Sequence, residues 1–465
     1  MSLCNHGFII EKVCETSQAQ LDAWEMNKSA SPENCSVLSL QFSLGSLNMN
    51  SFQISLEQLV ERHDSLRTKF QYIDNSLKQV VCRYDRSMVK IDYFDISSDN
   101  NTGLISEIFN KKRMELYRLD QIPLARFLFF KRNNGYHFYL LIHHIISDAW
   151  SIQILKRELF LCYEAIQKGD EPKLPILSRQ LSDYTRDIIR AFNKKEEKFV
   201  RFWASRLNWL NDPVAITQSI QLRMGIEESS NASIRDSYLK ILSSGENKSF
   251  TWNFAEGKLE KLVLAATRLN SSVNSIVYAS FLFSIYAIFN KDKILLATPI
   301  ADRTNAGDRS IVGCLVGSIY LSKQMLDGTT LENFIREVYF ELLKSTRYLI
   351  YSHKYILTDG MDLRLSSDVF VNFSNRNQTQ SIRASTAGNG FGTEDDLYYP
   401  LNCIVSEYSD AISFKWQYNC QVFSDAEIIS LTHYQNGFLE NVTGESETSI
   451  SGLRSKLHEA SKQNS

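Results

Sequence analysis

The feature that most constrains the fold of this chain is an apolar segment, residues 138–155 (FYLLIHHIISDAWSIQIL), that contains two histidines and an aspartate. Its first part is apolar on both alternating faces, which is typical of a central strand covered on both sides. From Trp150 onward the apolar residues recur at helical spacing until Gly169. The segment therefore predicts a buried strand that turns directly into a helix, with Ser147 or Asp148 as the N-cap.

The polar side chains in this segment admit two interpretations. Neighbouring strand residues point to opposite faces, so His143 and His144 cannot both face one cavity unless the strand ends between them. We therefore expect one histidine to carry chemistry and the other to pack, and we expect the enclosed Asp148 to pair with an arginine. The alternative is two satisfied core histidines and an aspartate that only caps the helix. A metal site is disfavoured, because adjacent strand side chains diverge and no other His or Cys cluster lies nearby in sequence.

Length and charge narrow the class of protein. A chain of 465 residues exceeds one typical core and favours two domains. The 51 basic and 53 acidic side chains give a net charge of -2, which provides no electrostatic reason to expect nucleic acid or an anionic membrane as a partner. No apolar run approaches the roughly 18 residues of a membrane span, and none of the eight cysteines forms a CxxC pair. We expect a protein of the reducing cytoplasm.

Prolines mark the expected division of the chain. Segment 169–178 holds two of the seven prolines and is the best candidate linker, so we expect one domain over residues 1–177 and a second over 178–465. The strand-like and helix-like segments alternate irregularly, which predicts mixed α and β layers. Helical spacing occurs in 55–71, in 183–207 and twice in 256–290, and strand patterns occur in 293–303, 402–408 and 411–418.

Five segments match, in order, the motifs of one enzyme family. HHIISDAWS (143–151) is similar to the family signature His-His-x-x-x-Asp-Gly-x-Ser. Upstream, TSQAQLDAW (16–24) and ERHDSLRTKF (61–70) resemble the first and second motifs. Downstream, LSDYTRD (181–187) and ATPIADRTNAGDRSIVGCLVGSIYL (297–321) are similar to two later motifs. The chain thus resembles, over nearly its whole length, the condensation domains of nonribosomal peptide synthetases, which are chloramphenicol-acetyltransferase-like acyltransferases.

Three departures from the family pattern concern substrate specificity more than fold. Ala149 replaces the usual glycine after the aspartate, which suits helical geometry but adds a methyl group to a tight turn. Gly317 and Ser318 stand where the family has Asn-Thr, and only His353 remains of the sixth motif.

The resemblance implies a fold and a set of site residues. The expected fold is α/β (α+β type), with two acetyltransferase-like lobes in a V-shaped pseudo-dimer around a central tunnel and the histidine motif in the first lobe. His144 would be the catalytic histidine facing the tunnel, and His143 would pack on the opposite face. Asp148 would be structural and paired with Arg303, and Arg67 is the alternative partner.

Two further residues are candidates for the tunnel wall. Trp150 is interpreted as a core side chain in preference to a substrate contact, although substrate contact stays open. Ser318 is a candidate tunnel residue, and an ordinary strand serine explains it almost as well. Cys314 lies in an apolar run and is interpreted as a small buried hydrophobe.

The activity implied by the resemblance is formation of an amide. The donor would be an acyl or peptidyl thioester on the phosphopantetheine arm of a carrier protein, and the acceptor would be an amine, free or carrier-bound. No cofactor of the chain's own and no metal are expected. The chain has no adenylation or carrier motif, so it is either a free-standing protein or a domain excised from a synthetase. The polar C-terminal segment and Met1 favour a free-standing protein, and we expect a monomer. Carrier docking is expected at 111–118 or 192–201, two basic segments.

Three other functions remain open. An alcohol acceptor would give an ester, and the same histidine serves both reactions. A non-catalytic recruitment domain is less favoured, because such domains usually lose the paired histidine and this chain retains it. Epimerisation is disfavoured, since no second acidic motif supplies the extra acid/base group.

Overall fold

The computed structural model describes residues 8–29, 32, 35–97, 103–133, 135–207, 246–254, 257–303, 305–349, 369–374, 390–394, 399–444 and 448–463. Within these residues the structure is mixed α/β, as the sequence predicts. His353, which represents the sixth motif, lies outside the described residues.

Helices and strands alternate along the described chain. The helices are α1 (Gln18–Ser29), α2 (Met49–Arg62), α3 (Leu104–Met114), α4 (Ala149–Lys168), α5 (Leu181–Leu207), α6 (Lys258–Arg268), α7 (Val273–Phe289), α8 (Leu331–Ser345), α9 (Asp425–Thr443) and α10 (Ile450–Gln463). The strands are β1 (Ile10–Glu15), β2 (Val37–Leu44), β3 (Thr68–Ile73), β4 (Ser76–Cys82), β5 (Ile91–Asp95), β6 (Ala125–Arg132), β7 (Gly135–His143), β8 (Asn247–Phe254), β9 (Lys293–Ala301), β10 (Val316–Gln324), β11 (Val369–Ser374), β12 (Gly390–Glu394), β13 (Leu401–Glu407) and β14 (Ile412–Asn419).

The chain forms two compact units. The first comprises Met1–Glu196 together with Ala301–Gly317, and the second comprises Glu197–Ile300 together with Ser318–Ser465. The short segment 301–317 therefore brings Arg303 and its neighbours to the unit that contains the histidine pair. The division into compact units does not test whether each part of the chain has an acetyltransferase-like fold. The predicted lobes over residues 1–177 and 178–465 therefore stay a prediction.

Strand β7 is the centre of the first unit. It lies inside a four-stranded sheet of order β2-β7-β6-β5, and the unit also holds a separate three-stranded sheet of order β1-β4-β3. One face of β7, with Phe138, Leu140 and Ile142, packs in a core that includes residues of α2 and α4. The opposite face, with Leu141, packs in a second core against α3. A strand covered on both sides needs apolar residues at successive positions, which explains the sequence pattern.

Helix α4 begins and ends where the sequence signals predict. Its N-cap is Asp148, whose side chain accepts a hydrogen bond from the backbone N–H of Ser151. Its C-cap is Gly169 at φ 77°, a left-handed conformation that glycine adopts without steric cost. The switch from strand to helix thus takes place within the few residues between His143 and Ala149.

The helical spacing in 55–71 extends beyond the actual helix. Helix α2 ends at Arg62, and a 3-10 turn over Asp64–Arg67 leads into β3. The helix ends early because of tertiary contacts. His63 leaves the helical conformation, and its ring lies 2.8 Å from the buried carboxylate of Glu158 on α4. The residues that follow gain strand pairing with β4.

The second unit contains a seven-stranded sheet of order β10-β9-β11-β13-β14-β8-β12. The apolar helix α7 lies in its core, where thirteen of the helix residues are buried. The break that separates α6 from α7 occurs where the sequence predicts, with Asn270 in the left-handed region and Ser272 as the N-cap of α7. In the described chain no single helix has the length and apolar composition of a membrane span, and only the pair α6 and α7, bent by 98°, meets that test in combination.

Candidate active site

The histidine pair lies at the point where strand β7 ends. His143 is the last strand residue, and His144 opens a 3-10 turn over His144–Ile146. The backbone N–H of His143 still donates to the carbonyl of Leu124 at 3.0 Å, whereas the N–H of His144 donates to the carbonyl of Ser36 at 2.9 Å. The strand therefore ends between the two histidines, so strand alternation alone does not decide which way each ring faces, and the contacts of each ring decide it.

His143 is enclosed and neutral. Its side chain has no exposed surface. Ring nitrogen Nδ1 accepts the N–H of Ile145 at 3.0 Å, and Nε2 lies 3.2 Å from the side-chain oxygen of Asn27. Burial lowers the pKa of His143 to about 3, and the neighbouring His144 adds to this effect. With both ring nitrogens bonded inside the protein, His143 holds the strand end in place.

His144 differs from its neighbour in exposure. Its side chain is only partly buried. The ring nitrogen Nδ1 lies 3.8 Å from the sulfur of Cys314. No described residue forms a hydrogen bond with Nε2. Of the two histidines, His144 is therefore the one with a ring nitrogen available to another molecule.

Asp148 is fully occupied by protein donors. Both carboxylate oxygens accept from one guanidinium nitrogen of Arg303, at 2.7 and 2.8 Å. Oδ1 also accepts the N–H of Ser151 at 2.7 Å, and Oδ2 accepts the N–H of Leu315 at 3.1 Å. The side chain of Asp148 is 2% exposed. A carboxylate that binds this many donors in a closed site has a structural role, because no oxygen is left to receive a substrate proton.

Arg303 connects two chain segments. Its side chain is 3% exposed, and besides Asp148 it donates to the backbone carbonyls of Asp308 at 3.1 Å and Ile311 at 2.9 Å. The hydroxyl of Ser151 lies 3.1 Å from the same guanidinium nitrogen that binds Asp148. The arginine thus joins the start of α4 to segment 301–317, as a planar, always charged donor is suited to do.

Ser151 and Gly313 form a second connection between the same two segments. The Ser151 hydroxyl accepts the N–H of Gly313 at 3.0 Å and lies 2.9 Å from the Gly313 carbonyl. A β-carbon added at Gly313 would lie 2.6 Å from a methyl carbon of Leu181. Glycine is required here by close approach of the neighbouring side chain, so the family-type glycine has a packing reason.

Arg67, the alternative partner of Asp148, lies elsewhere. Its guanidinium donates to Asp64 and Glu11, each at 2.6 Å, and to the carbonyl of Cys82 at 2.6 Å. The side chain is 7% exposed. Arg67 therefore stabilises the junction of the 3-10 turn with the three-stranded sheet.

Trp150 is not a core residue, so the core interpretation is wrong. Its side chain is 39% exposed. The indole N–H donates to the carbonyl of Arg309 at 3.1 Å, and the ring lies 5.8 Å from the guanidinium carbon of Arg303. The reason is its place in the first turn of α4, on the side that also exposes Ala149. Ser318 is half-buried in β10, and its role as a tunnel residue stays a prediction.

The upstream motifs support the histidine turn. Gln20 of α1 is fully buried, and its amide oxygen accepts the N–H of Ser17 at 2.9 Å. Its amide nitrogen donates to Gln79 at 3.0 Å and lies 3.5 Å from the carbonyl of Ile145 in the turn. The second motif acts through His63, whose buried pairing with Glu158 fastens α4. Gln20 therefore contacts the histidine turn, and His63 contacts the helix that follows it.

Two site residues were not recognised from the sequence. Cys314 is buried, as expected, but the sequence did not indicate that its sulfur contacts the ring of His144. Ser151 lies inside the histidine motif, yet nothing in the sequence indicated that it binds Asp148, Arg303 and Gly313 together. The only available signal was that Cys314 follows directly after the motif-like Gly313.

Comparison with known proteins identifies similar sequences. A family model described as condensation domain matches residues 10–463. Gramicidin S synthase 2 of Brevibacillus brevis is 24% identical over 296 residues, which are 63% of this chain and 6% of that synthase. Tyrocidine synthase 3 of Brevibacillus parabrevis is 26% identical over 300 residues, which are 63% of this chain and 4% of that synthase. The chain thus spans a small fraction of the length of these relatives.

Solved structures share the fold at low sequence identity. The condensation domain of the Monacolin K polyketide synthase has a TM-score of 0.72 at 12% identity, covering 95% of this chain and 100% of that one. A four-domain nonribosomal peptide synthetase bound to AMP and glycine has a TM-score of 0.71 at 16% identity, covering 97% and 34%. An epimerization domain from tyrocidine synthetase B has a TM-score of 0.65 at 12% identity, covering 95% and 99%. The fold alone therefore does not distinguish condensation from epimerisation.

Proposed function

The chain belongs to the condensation-domain family, and on that premise we propose that it joins a carrier-bound acyl or peptidyl thioester to an amine. The amine nitrogen attacks the thioester carbonyl carbon and forms a tetrahedral intermediate. The carbon–sulfur bond then breaks, the amide is released, and the proton lost by the nitrogen passes to the departing thiolate. The donor would be carried on the phosphopantetheine arm of a carrier protein, with no cofactor bound by the chain itself.

The observation that carries this proposal is the contrast between the two histidines. His143 has both ring nitrogens bonded and no exposed surface. His144 is partly exposed, follows the strand end directly, and sits beside a turn that Asp148 and Arg303 fix. A ring held at a rigid strand end and accessible from one side is suited to position a reacting group. We assign the chemical role to His144 and structural roles to His143, Asp148 and Arg303.

His144 has two possible tasks in this reaction. As a general base, an unprotonated ring nitrogen would accept the amine proton during attack. As a donor, a ring N–H would hydrogen-bond to the oxyanion of the tetrahedral intermediate. Either task accounts for a single accessible histidine.

The proposal is tested by mass spectrometry of a carrier-bound donor incubated with candidate amines. We expect an amide product with the wild-type protein and a loss of most product with His144→Ala. His137→Ala is the matched control, because His137 lies on the same strand near its opposite end and bonds to Ser43. Equal loss with both variants, or no product with any amine, would overturn the proposal.

An ester-forming reaction is the alternative within the same chemistry. The same histidine would serve an alcohol acceptor, so no residue described above separates the two. Parallel incubations with an amine and with the hydroxyl analogue of equal shape decide between them. A larger specificity constant for the alcohol would reassign the protein as an ester synthase.

A non-catalytic recruitment role is the alternative in another class. The retained pair His143 and His144, and the complete set of hydrogen bonds around Asp148, argue against it. If the wild-type protein binds a carrier protein but turns over neither acceptor, the recruitment role becomes the better assignment.

The proposed carrier protein would dock near a basic surface. At the first candidate segment Lys112 is already paired, with Asp92 at 2.8 Å and Glu115 at 3.0 Å. At the second segment Lys194 and Lys195 on α5 are both exposed. Since exposed lysines offer more to an acidic carrier than paired ones, we propose Lys194 and Lys195 as the docking residues.

The finer sequence-based expectations stay part of this proposal. They are the V-shaped arrangement around a tunnel, wall positions for Trp150 and Ser318, a monomeric state and a cytoplasmic location. Light scattering tests the oligomeric state, cell fractionation tests the location, and labelling with a pantetheine photoprobe tests the wall residues.

A further inference from the structure

Cys314 contacts the ring nitrogen Nδ1 of His144 and has no role in the mechanism above. The sulfur lies 3.8 Å from Nδ1, within hydrogen-bonding range for sulfur. The residue is 4% exposed and follows Gly313, which Ser151 holds through two hydrogen bonds. The sulfur is thus fixed in place by the same network that fixes Asp148.

The thiol is in its neutral form. Burial raises the pKa of Cys314 to about 12, and the nearby carboxylate of Asp148 contributes to that rise. Asp22 of α1 acts in the same direction, whereas Arg303 and a hydrogen bond from the backbone N–H of Val316 act in the opposite one. At neutral pH the sulfur therefore carries its proton and can donate a weak hydrogen bond.

The chemistry of the two groups indicates where the thiol proton points. The sulfur and Nδ1 of His144 lie 3.8 Å apart, so one of them donates to the other. An unprotonated imidazole nitrogen is a strong acceptor, whereas a thiol sulfur is a weak one. We infer that Cys314 is a positioning residue whose S–H donates to Nδ1 of His144 and holds the imidazole in the tautomer protonated on Nε2.

This assignment decides between the two tasks of His144 and rests on the proposed function. With Nδ1 occupied as an acceptor, the free nitrogen Nε2 carries the proton and acts as a donor. It would stabilise the oxyanion of the tetrahedral intermediate, and the amine proton would pass to the departing thiolate of the donor. Cys314 itself makes and breaks no covalent bond in this scheme.

The first test is the tautomer itself, measured without substrate. Nitrogen-15 NMR of the histidine-labelled protein distinguishes a protonated from an unprotonated ring nitrogen, and His144→Ala assigns the signals among the eight histidines. We expect the wild-type protein to show His144 protonated on Nε2. In Cys314→Ala and in the size-matched Cys314→Val the alternative tautomer should become detectable, and Cys314→Ser should restore the wild-type state, because its hydroxyl is also a donor.

The second test is kinetic. Loss of one hydrogen bond should lower kcat by about threefold to tenfold in Cys314→Ala, with KM for the donor unchanged, since Cys314 is not expected to touch substrate. Cys314→Ser should recover most of the rate. Cys403→Ala is the matched control, because Cys403 is equally buried on β13 and its truncation should leave the tautomer unaltered.

Three results would overturn the inference. A wild-type His144 protonated on Nδ1 would reverse the direction of the hydrogen bond. Identical tautomers in wild type, Cys314→Ala and Cys314→Ser would show that Cys314 does not set the state. A donor acyl group found on Cys314 by intact-protein mass spectrometry would make it a nucleophile. The NMR readout needs no turnover. A protein with the expected tautomer but no product would therefore refute the proposed function and leave the inference about Cys314 in place.

Discussion

Replacing Asp148 by asparagine isolates the charge of the buried pair from its shape. Asparagine is as good an N-cap as aspartate, so the hydrogen bond to the N–H of Ser151 is retained. The amide is neutral, so Arg303 loses its counter-charge, and an NH2 group takes the place of Oδ2, so the N–H of Leu315 loses its acceptor. The substitution therefore leaves one buried cation and one buried N–H unpaired.

The expected loss in free energy of unfolding follows from these two unpaired groups. Removing one partner of a buried ion pair costs about 3–5 kcal/mol, which includes the penalty of the stranded charge. The pair is enclosed at both ends, with side chains 3% and 2% exposed, so solvent does not reduce that figure. For a unit of roughly 200 residues this cost corresponds to a fall of about 6–20 °C in Tm.

The assay is thermal unfolding followed by circular dichroism, with activity measured on the same samples. Asp148→Ala should be less stable than Asp148→Asn by a further ~1 kcal/mol, because it also removes the cap. Asp120→Asn is the matched control, since Asp120 pairs with Arg118 on the surface at 2.9 Å and its loss should leave Tm nearly unaltered. An Asp148→Asn protein with an unchanged Tm and no activity would refute the structural role and make Asp148 catalytic.

Four further predictions follow from the described contacts. His144→Ala should lower kcat by about 10²–10⁴-fold with little change in Tm, whereas His143→Ala should mainly lower Tm; the two measurements on both variants check this division. Because the pKa of His143 is about 3 in the folded state and about 6.5 when unfolded, the unfolded chain binds more protons between these values. Wild-type stability should therefore fall by about 1.4 kcal/mol per pH unit below pH ~6.5, and chemical denaturation should show a shallower slope for His143→Gln. Gly313→Ala should cost about 1–3 kcal/mol through overpacking, measured by the same denaturation. Lys194→Glu with Lys195→Glu should raise KM several-fold for a carrier-bound donor and leave a small soluble thioester unaffected, and equal effects on both substrates would exclude the docking assignment.

Local sequence patterns were sufficient to predict the strand and the helix on either side of the site. The apolar run before His143, the cap at Asp148 and the glycine at position 169 each specify backbone behaviour within a few residues, so the strand and α4 agree with prediction. The pattern failed at residues 63–71, where helical spacing continued after the helix had ended. There the pairing of His63 with Glu158, 95 positions away, overrides the local period.

The sequence by itself determined that this chain places a histidine pair and an aspartate at a strand-to-helix switch, because apolar periodicity and capping act between near neighbours. The motifs also indicated the family correctly. The resemblance gave Arg303 as the partner of Asp148, with Arg67 as the alternative, and the structure pairs Asp148 with Arg303, across 155 positions. Only the tertiary structure showed that Cys314 meets His144, across 170 positions. It also exposed Trp150, which the apolar pattern had assigned to the core. Contacts of that range depend on which segments the fold brings together, and a periodic pattern contains no information about segments outside its own turn or strand.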